Sequence, residues 1–226
     1  MEKNEVITLE DRGFIQVTGA EAKDFLQNII TNDINKVTET KSCFASLLTP
    51  QGKFLFDFIV IKHKNGYFID CEKTQIEDLF KQLSLYKLRS NVQILNLSNE
   101  FVVVALSYQK FKSMEGSENK LGFTMKYRED SILLDPRNTQ LGARLIINLE
   151  KLYLSLKKLD LKSSKSEEYY NLSFNLGILQ KNTNKLKLYK KILITLIKLQ
   201  KIKLKKIKNF KKKIYKVPNY LSLIHI

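Results

Sequence analysis

Short apolar runs at Val6–Leu9 and Phe14–Val17 flank the turn Asp11-Arg12-Gly13 and predict two strands. Thr18-Gly19-Ala20-Glu21 has the spacing of a capping box and predicts the start of a helix. Ala22, Phe25, Leu26, Ile29 and Ile30 then recur at i, i+3, i+4, i+7 and i+8, the stripe of an amphipathic helix, which Thr31-Asn32-Asp33 ends. Phe44–Leu48 reads as a strand, Thr49-Pro50-Gln51-Gly52 as a turn, and Phe54–Ile61 as an apolar strand interrupted by Asp57. Asn65-Gly66 is a hairpin signal joining that strand to Tyr67-Phe68-Ile69. Ile76, Leu79, Phe80 and Leu83 mark a second helix. Strands follow at Val92–Leu97 and Phe101–Leu106, the latter apolar on both faces and so central to a sheet. Weaker strand signals lie at Gly122–Lys126, Ile132–Leu134 and Ala143–Ile147. Hairpins mixed with helices predict an α+β fold, with helices packed on mostly antiparallel sheets.

From Lys185 to Lys216 the pattern changes to Lys, Ile and Leu without a clean apolar face. Charge makes the break sharper. The chain has 226 residues and a formal net charge of +16, yet all 23 acids and 24 of the 39 basic residues lie in residues 1–168. The basic excess therefore belongs to the remaining 58 residues, which hold 15 Lys and no acid. A near-neutral body argues against a nucleic-acid footprint spread over it. The residues whose codons begin with G (Val, Ala, Asp, Glu, Gly) number 43 in the body, but after residue 168 only Gly177 and Val217 remain. Translation of an AT-rich gene out of frame explains that collapse, and Leu221–Ile226 resembles a translated adapter remnant. The competing reading is a basic arm that docks on RNA or anionic lipid. No apolar run is long enough to span a membrane, the start lacks a signal-peptide shape, and two cysteines make neither a disulfide framework nor a closed metal site. These features predict a cytoplasmic protein.

Four stretches carry a family resemblance, in order. They are LEDRGFIQVTGAEAKDFLQNIITNDI (9–34), ASLLTPQGKFLFDFIV (45–60), YKLRSNVQI (86–94), and Asp135-Pro136-Arg137 followed by Leu141-Gly142-Ala143-Arg144. Over residues 5–180 the chain resembles the YgfZ-like branch of the aminomethyltransferase folate-binding superfamily, which includes the glycine-cleavage T-protein and mitochondrial iron–sulfur assembly factors. The resemblance implies a folate-binding α+β body over 1–165 and the start of the next family segment over 166–182. It leaves a Lys/Ile/Leu-rich tail over 183–226, out of frame or disordered. The family's K-G-C-Y-x-G-Q-E hallmark and its C-terminal barrel domain are absent, so the chain reads as truncated or frameshifted near residue 180.

The implied role is binding of tetrahydrofolate or a derivative in support of iron–sulfur protein assembly or repair, including tRNA-modifying enzymes. Its partners would be iron–sulfur client or assembly proteins, with no independent turnover expected. The alternatives are an aminomethyltransferase-type one-carbon transfer enzyme and a basic-tailed RNA- or membrane-binding module. T-protein relatives carry two adjacent acids where this chain has Phe56-Asp57, so the resemblance gives Asp57 a folate ring nitrogen to bind. The open alternative is that Asp57 faces solvent or pairs with an Arg, since an unpaired buried carboxylate is costly. Arg89 and Lys87 suit the carboxylates of a folate glutamate tail, or else stabilise a helix C-terminus. Asn32 is a candidate for the ligand rim and also a good helix-stop residue. Arg144 completes the candidate set, although it and Arg137 suit a structural role more than ligand binding. Cys43 and Cys71 read as inert buried thiols, and His63, between Lys62 and Lys64, as solvated.

Overall fold

A computed structural model describes residues 5–158 and 162–178. The expectations for 183–226, and for the end of the 166–182 segment, lie outside the described residues. The strands are β1 (Glu5–Leu9), β2 (Arg12–Thr18), β3 (Cys43–Leu48), β4 (Phe54–His63), β5 (Gly66–Glu72), β6 (Gln93–Asn96), β7 (Phe101–Leu106), β8 (Thr124–Tyr127), β9 (Asp130–Leu134), β10 (Ala143–Asn148) and β11 (Lys162–Ser163). The helices are α1 (Ala22–Ile29), α2 (Ile76–Lys87), α3 (Tyr108–Lys112), α4 (Leu152–Lys158) and α5 (Ser166–Asn175).

The strands form two sheets, ordered β11-β1-β7-β10-β9-β8 and β3-β4-β5-β2-β6, and neither closes into a barrel. Among the described pairings only β1–β11 is parallel. The α+β prediction therefore holds. The turn at Glu10-Asp11 sends β1 into one sheet and β2 into the other. As its two-sided apolar pattern predicts, β7 is interior, between β1 and β10.

Alternation along the strands sorts the side chains into layers. One face of the five-stranded sheet (Ile15, Val17, Ala45, Phe58, Val60, Ile69) packs against Phe25 and Leu26 of α1 and Leu79 and Leu83 of α2. Its other face (Phe14, Ile59, Ile61, Phe68) meets Ile7, Leu9, Val103, Ala105 and Ile146 of the six-stranded sheet. The far side of that sheet is covered by Phe111 of α3 and by Leu152 and Leu156 of α4.

Two local predictions are corrected. The capping box does not form: Thr18 stays in β2, paired with Gly66 and Gln93, and the Glu21 carboxylate accepts from the Asn91 backbone N–H. Tertiary pairing outcompetes the local cap. The hairpin forms, but its loop residues are Lys64 and Asn65, with Lys64 at φ +46°. Gly66 instead opens β5, where a Cβ would lie 2.3 Å from the Val17 carbonyl oxygen.

Gly142 turns the chain into β10 at φ +79°, with the Leu106 carbonyl oxygen 2.0 Å from where a Cβ would sit. Gly142→Ala therefore combines backbone strain with a backbone clash. It should lower the unfolding free energy by about 2 kcal/mol or more, read from the urea midpoint. An unchanged midpoint would contradict the turn geometry.

Candidate functional site

At one end of the five-stranded sheet, polar residues share a rung on the face turned toward the other sheet. The chain after α1 bridges to β3 at Ile30–Leu47, and Thr31 and Ser46 exchange hydrogen bonds of 2.9 Å. Ser46 pairs with Asp57 of β4, and Arg12 of β2 pairs with Glu72 of β5. Extending the Ile59–Asp70 pairing by two residues sets Asp57 level with Glu72. The row thus reads Thr31, Ser46, Asp57, Glu72, Arg12. It runs from exposed at Thr31 through half-buried at Ser46 and Asp57 to buried at Glu72 and Arg12. This edge between the sheets, graded from exposed to buried, is here called the mouth.

Asp57 makes no side-chain hydrogen bond or ion pair among the described residues. Asn32 lies beside this mouth. Its amide nitrogen donates to the Phe44 carbonyl at 2.9 Å and its side-chain oxygen accepts from the Asp33 N–H at 2.8 Å. Arg89 and Lys87 are elsewhere. Lys87 ends α2, and the exposed Arg89 lines an open depression with Glu21, Leu88 and Ser90. Glu21 bonds Asn91 just before β6, near the Thr18 end of the sheet, whereas Asp57 is level with the Arg12 end. The structure places Asn32 and Asp57 at the same edge of the sheet and leaves Lys87 and Arg89 apart from them.

One rung inward from the mouth lies a buried charge cluster that the sequence reading did not foresee. Asp70 accepts from Arg12 Nε and from Arg144 Nη1, each at 2.7 Å. Asp135 accepts from Arg144 Nε at 2.9 Å and from Arg137 Nε and Nη2 at 2.9 and 2.8 Å. The Tyr169 hydroxyl of α5 accepts from Arg144 Nη2 at 2.6 Å and from Arg137 Nη2 at 3.3 Å. Arg144 is 1% exposed, so it sits beneath the mouth rather than on its surface. Burial by itself would push the Asp135 carboxyl up, but Arg137 and Arg144 outweigh it and hold the group well below the usual carboxylate range. The sequence signal for Asp70 is slight: an acid directly after the apolar run Tyr67-Phe68-Ile69.

Cys43 and Cys71 are buried, and burial pushes their thiols up to about 11 and about 12. Neither is poised as a thiolate nucleophile. The reading of His63 as solvated is corrected. Its ring stacks on Phe68 with centroids 3.9 Å apart and an 11° interplanar angle. Burial, with the cations Lys64 and Lys126 nearby, pulls it down to about 4. Among the described residues no cluster of His, Cys, Asp and Glu is arranged to hold a metal, and no helix is long and apolar enough to cross a membrane.

Residues 2–107 match the GCVT N-terminal domain family. The match covers 106 of the 226 residues. The chain is 26% identical over 193 residues to a protein of Dictyostelium discoideum named "Iron-sulfur cluster assembly factor IBA57 homolog, mitochondrial", covering 74% of this chain and 47% of the relative. It is 30% identical over 95 residues to an aminomethyltransferase of Bacillus pumilus, covering 42% and 26%. It superposes on the glycine cleavage system aminomethyltransferase T of Bartonella henselae with TM-score 0.65 at 15% identity, covering 78% of this chain and 52% of that one. That likeness establishes the shared fold. The chain spans less than half the length of either of these two sequence relatives.

Two outcomes follow from this geometry. Arg144→Met leaves Asp70 and Asp135 short of a buried partner and should cost about 3–5 kcal/mol of stability, measured by urea unfolding; a loss below about 1 kcal/mol would mean the cluster is not buried as described. His63 is neutral when folded but protonates near 6.5 when unfolded. Stability should therefore fall as pH drops from 6.5 toward 4, and His63→Gln should flatten that part of the profile. An identical pH profile in the variant would contradict the stacked, half-buried ring.

Proposed function

We propose that the protein binds tetrahydrofolate or a derivative at the mouth between its sheets, and thereby supports assembly or repair of iron–sulfur proteins. Asp57 carries the folate part of this reading. A half-buried carboxylate with no hydrogen-bond or ion-pair partner among the described residues is an acceptor that a ligand bearing ring N–H groups can satisfy, and satisfying it recovers the cost of partial desolvation. Thr31, Asn32 and Ser46 would shape the rim beside it. Arg144 would act from beneath the rim, through Asp70 and Asp135. Lys87 and Arg89 would meet a folate glutamate tail only if it reached the helix-bearing side of the sheet.

The iron–sulfur part is supported by the likeness to the IBA57 homologue. In this role the protein works with iron–sulfur client or assembly partners, tRNA-modifying enzymes among them, and without turnover of its own. That relative is named as mitochondrial, which sets the organelle against the cytoplasm predicted from the sequence; cell fractionation distinguishes the two.

A second reading, one-carbon transfer to tetrahydrofolate, is favoured by the match to the Bacillus pumilus aminomethyltransferase. It is disfavoured by Phe56 standing where T-protein relatives carry a second acid. The deciding experiment is anaerobic calorimetry with tetrahydrofolate on the full chain and on Asp57→Asn. Loss of a hydrogen bond to a charged acceptor should weaken binding about tenfold or more. Unchanged affinity removes Asp57 from the site, and formaldehyde-equivalent transfer in a glycine-cleavage assay would establish the second reading.

A further inference from the structure

The buried cluster is unbalanced where it meets α5. Its hydrogen bonds join three guanidiniums (Arg12, Arg137, Arg144) to two carboxylates, Asp70 and Asp135. Glu72 lies on the Arg12 side, paired with it across the strands. On the Arg137–Arg144 side the next acceptor is a single hydroxyl oxygen, that of Tyr169. That single oxygen serves two guanidinium forks unequally: the bond from Arg144 is 2.6 Å, whereas the one from Arg137 is 3.3 Å, beyond the usual N–H···O range. A carboxylate would offer two oxygens and a negative charge to the same pair, and charge-assisted bonds are about twice as strong as neutral ones. Arg137 is also the most exposed of the three guanidiniums. Its side chain is 11% exposed, and its guanidinium lies 6.0 Å from the Phe44 ring, one rung from Ser46.

We propose that Arg137 and Arg144 form a carboxylate seat, occupied in this structure by the Tyr169 hydroxyl, so that α5 and a carboxylate-bearing ligand compete for it. Tyr169 holds α5 on the body at this point, while Tyr170 donates to Asp11 and packs edge-on against Tyr169. A ligand carboxylate arriving from the mouth takes the two Nη2 groups, and the Tyr169 ring turns out with its helix. The seat involves neither Asp57 nor a ring nitrogen, so it stands or falls independently of the folate reading.

The test is calorimetry of the full chain with glutarate, a plain dicarboxylate, at constant ionic strength. Tyr169→Phe removes the competing oxygen and keeps the ring, so it should bind glutarate about tenfold tighter than the unaltered chain. Adding Arg137→Gln should abolish the gain. Equal affinity in the unaltered chain and Tyr169→Phe, or a gain that survives Arg137→Gln, overturns the proposal. Should Tyr169→Phe fail to unfold cooperatively, amide exchange on the unaltered chain decides. Saturating glutarate should speed exchange across Ser166–Asn175, and unchanged exchange overturns the seat.

Discussion

The Arg144 guanidinium is the interaction on which the arrangement of this molecule depends. It lies on β10 of one sheet, bonds Asp70 on β5 of the other, holds Asp135 in the turn before β10, and meets α5 through Tyr169. Such a cluster gains little net stability over a well-packed apolar core, because taking the charges out of water offsets most of their attraction. Its effect is asymmetric. Once buried, each partner is costly to leave unpaired, so the sheets and α5 are constrained to the one packing that keeps all the pairs. That packing sets the depth and direction of the mouth in which Asp57 sits.

The same constraint explains the Asp135-Pro136-Arg137 and Leu141-Gly142-Ala143-Arg144 stretch. Asp135 folds back to accept from the Arg137 backbone N–H at 3.0 Å as well as from its guanidinium. Gly142 lets the chain pass close to the Leu106 carbonyl and deliver Arg144 to the inter-sheet face. The stretch that carries the family resemblance is, in physical terms, the part that builds the charge joint.

Much of the fold is legible in the sequence because periodicity is local. β7 is apolar on both faces and is interior, and the α1 stripe at Ala22, Phe25 and Leu26 is buried. What is not legible depends on distant partners. Asp57 and Asp70 both border apolar runs in the sequence. Yet Asp70 is paired by arginines 58 and 74 residues away, while Asp57 has no ion pair among the described residues. His63 between two lysines reads as solvated until the hairpin brings Phe68 against its ring. The capping box at Thr18 fails because β2 continues through that residue. The short α3 and α4 and the two-residue β11 carry too few turns or pairs for a periodic signal. Asn32 and Asp57 came from different stretches of the family pattern, and only strand pairing shows that they share an edge.

The central claim is that the mouth on the Ser46–Asp57 rung, rather than the depression beside Arg89, is where ligand binds. Anaerobic titration of the isotope-labelled chain with tetrahydrofolate, followed by amide NMR shifts, tests it directly. The account predicts that the largest shifts fall at Thr31, Asn32, Ser46 and Asp57. Shifts centred on Glu21 and Leu88–Ser90 instead, or no shifts at saturating ligand, would contradict it.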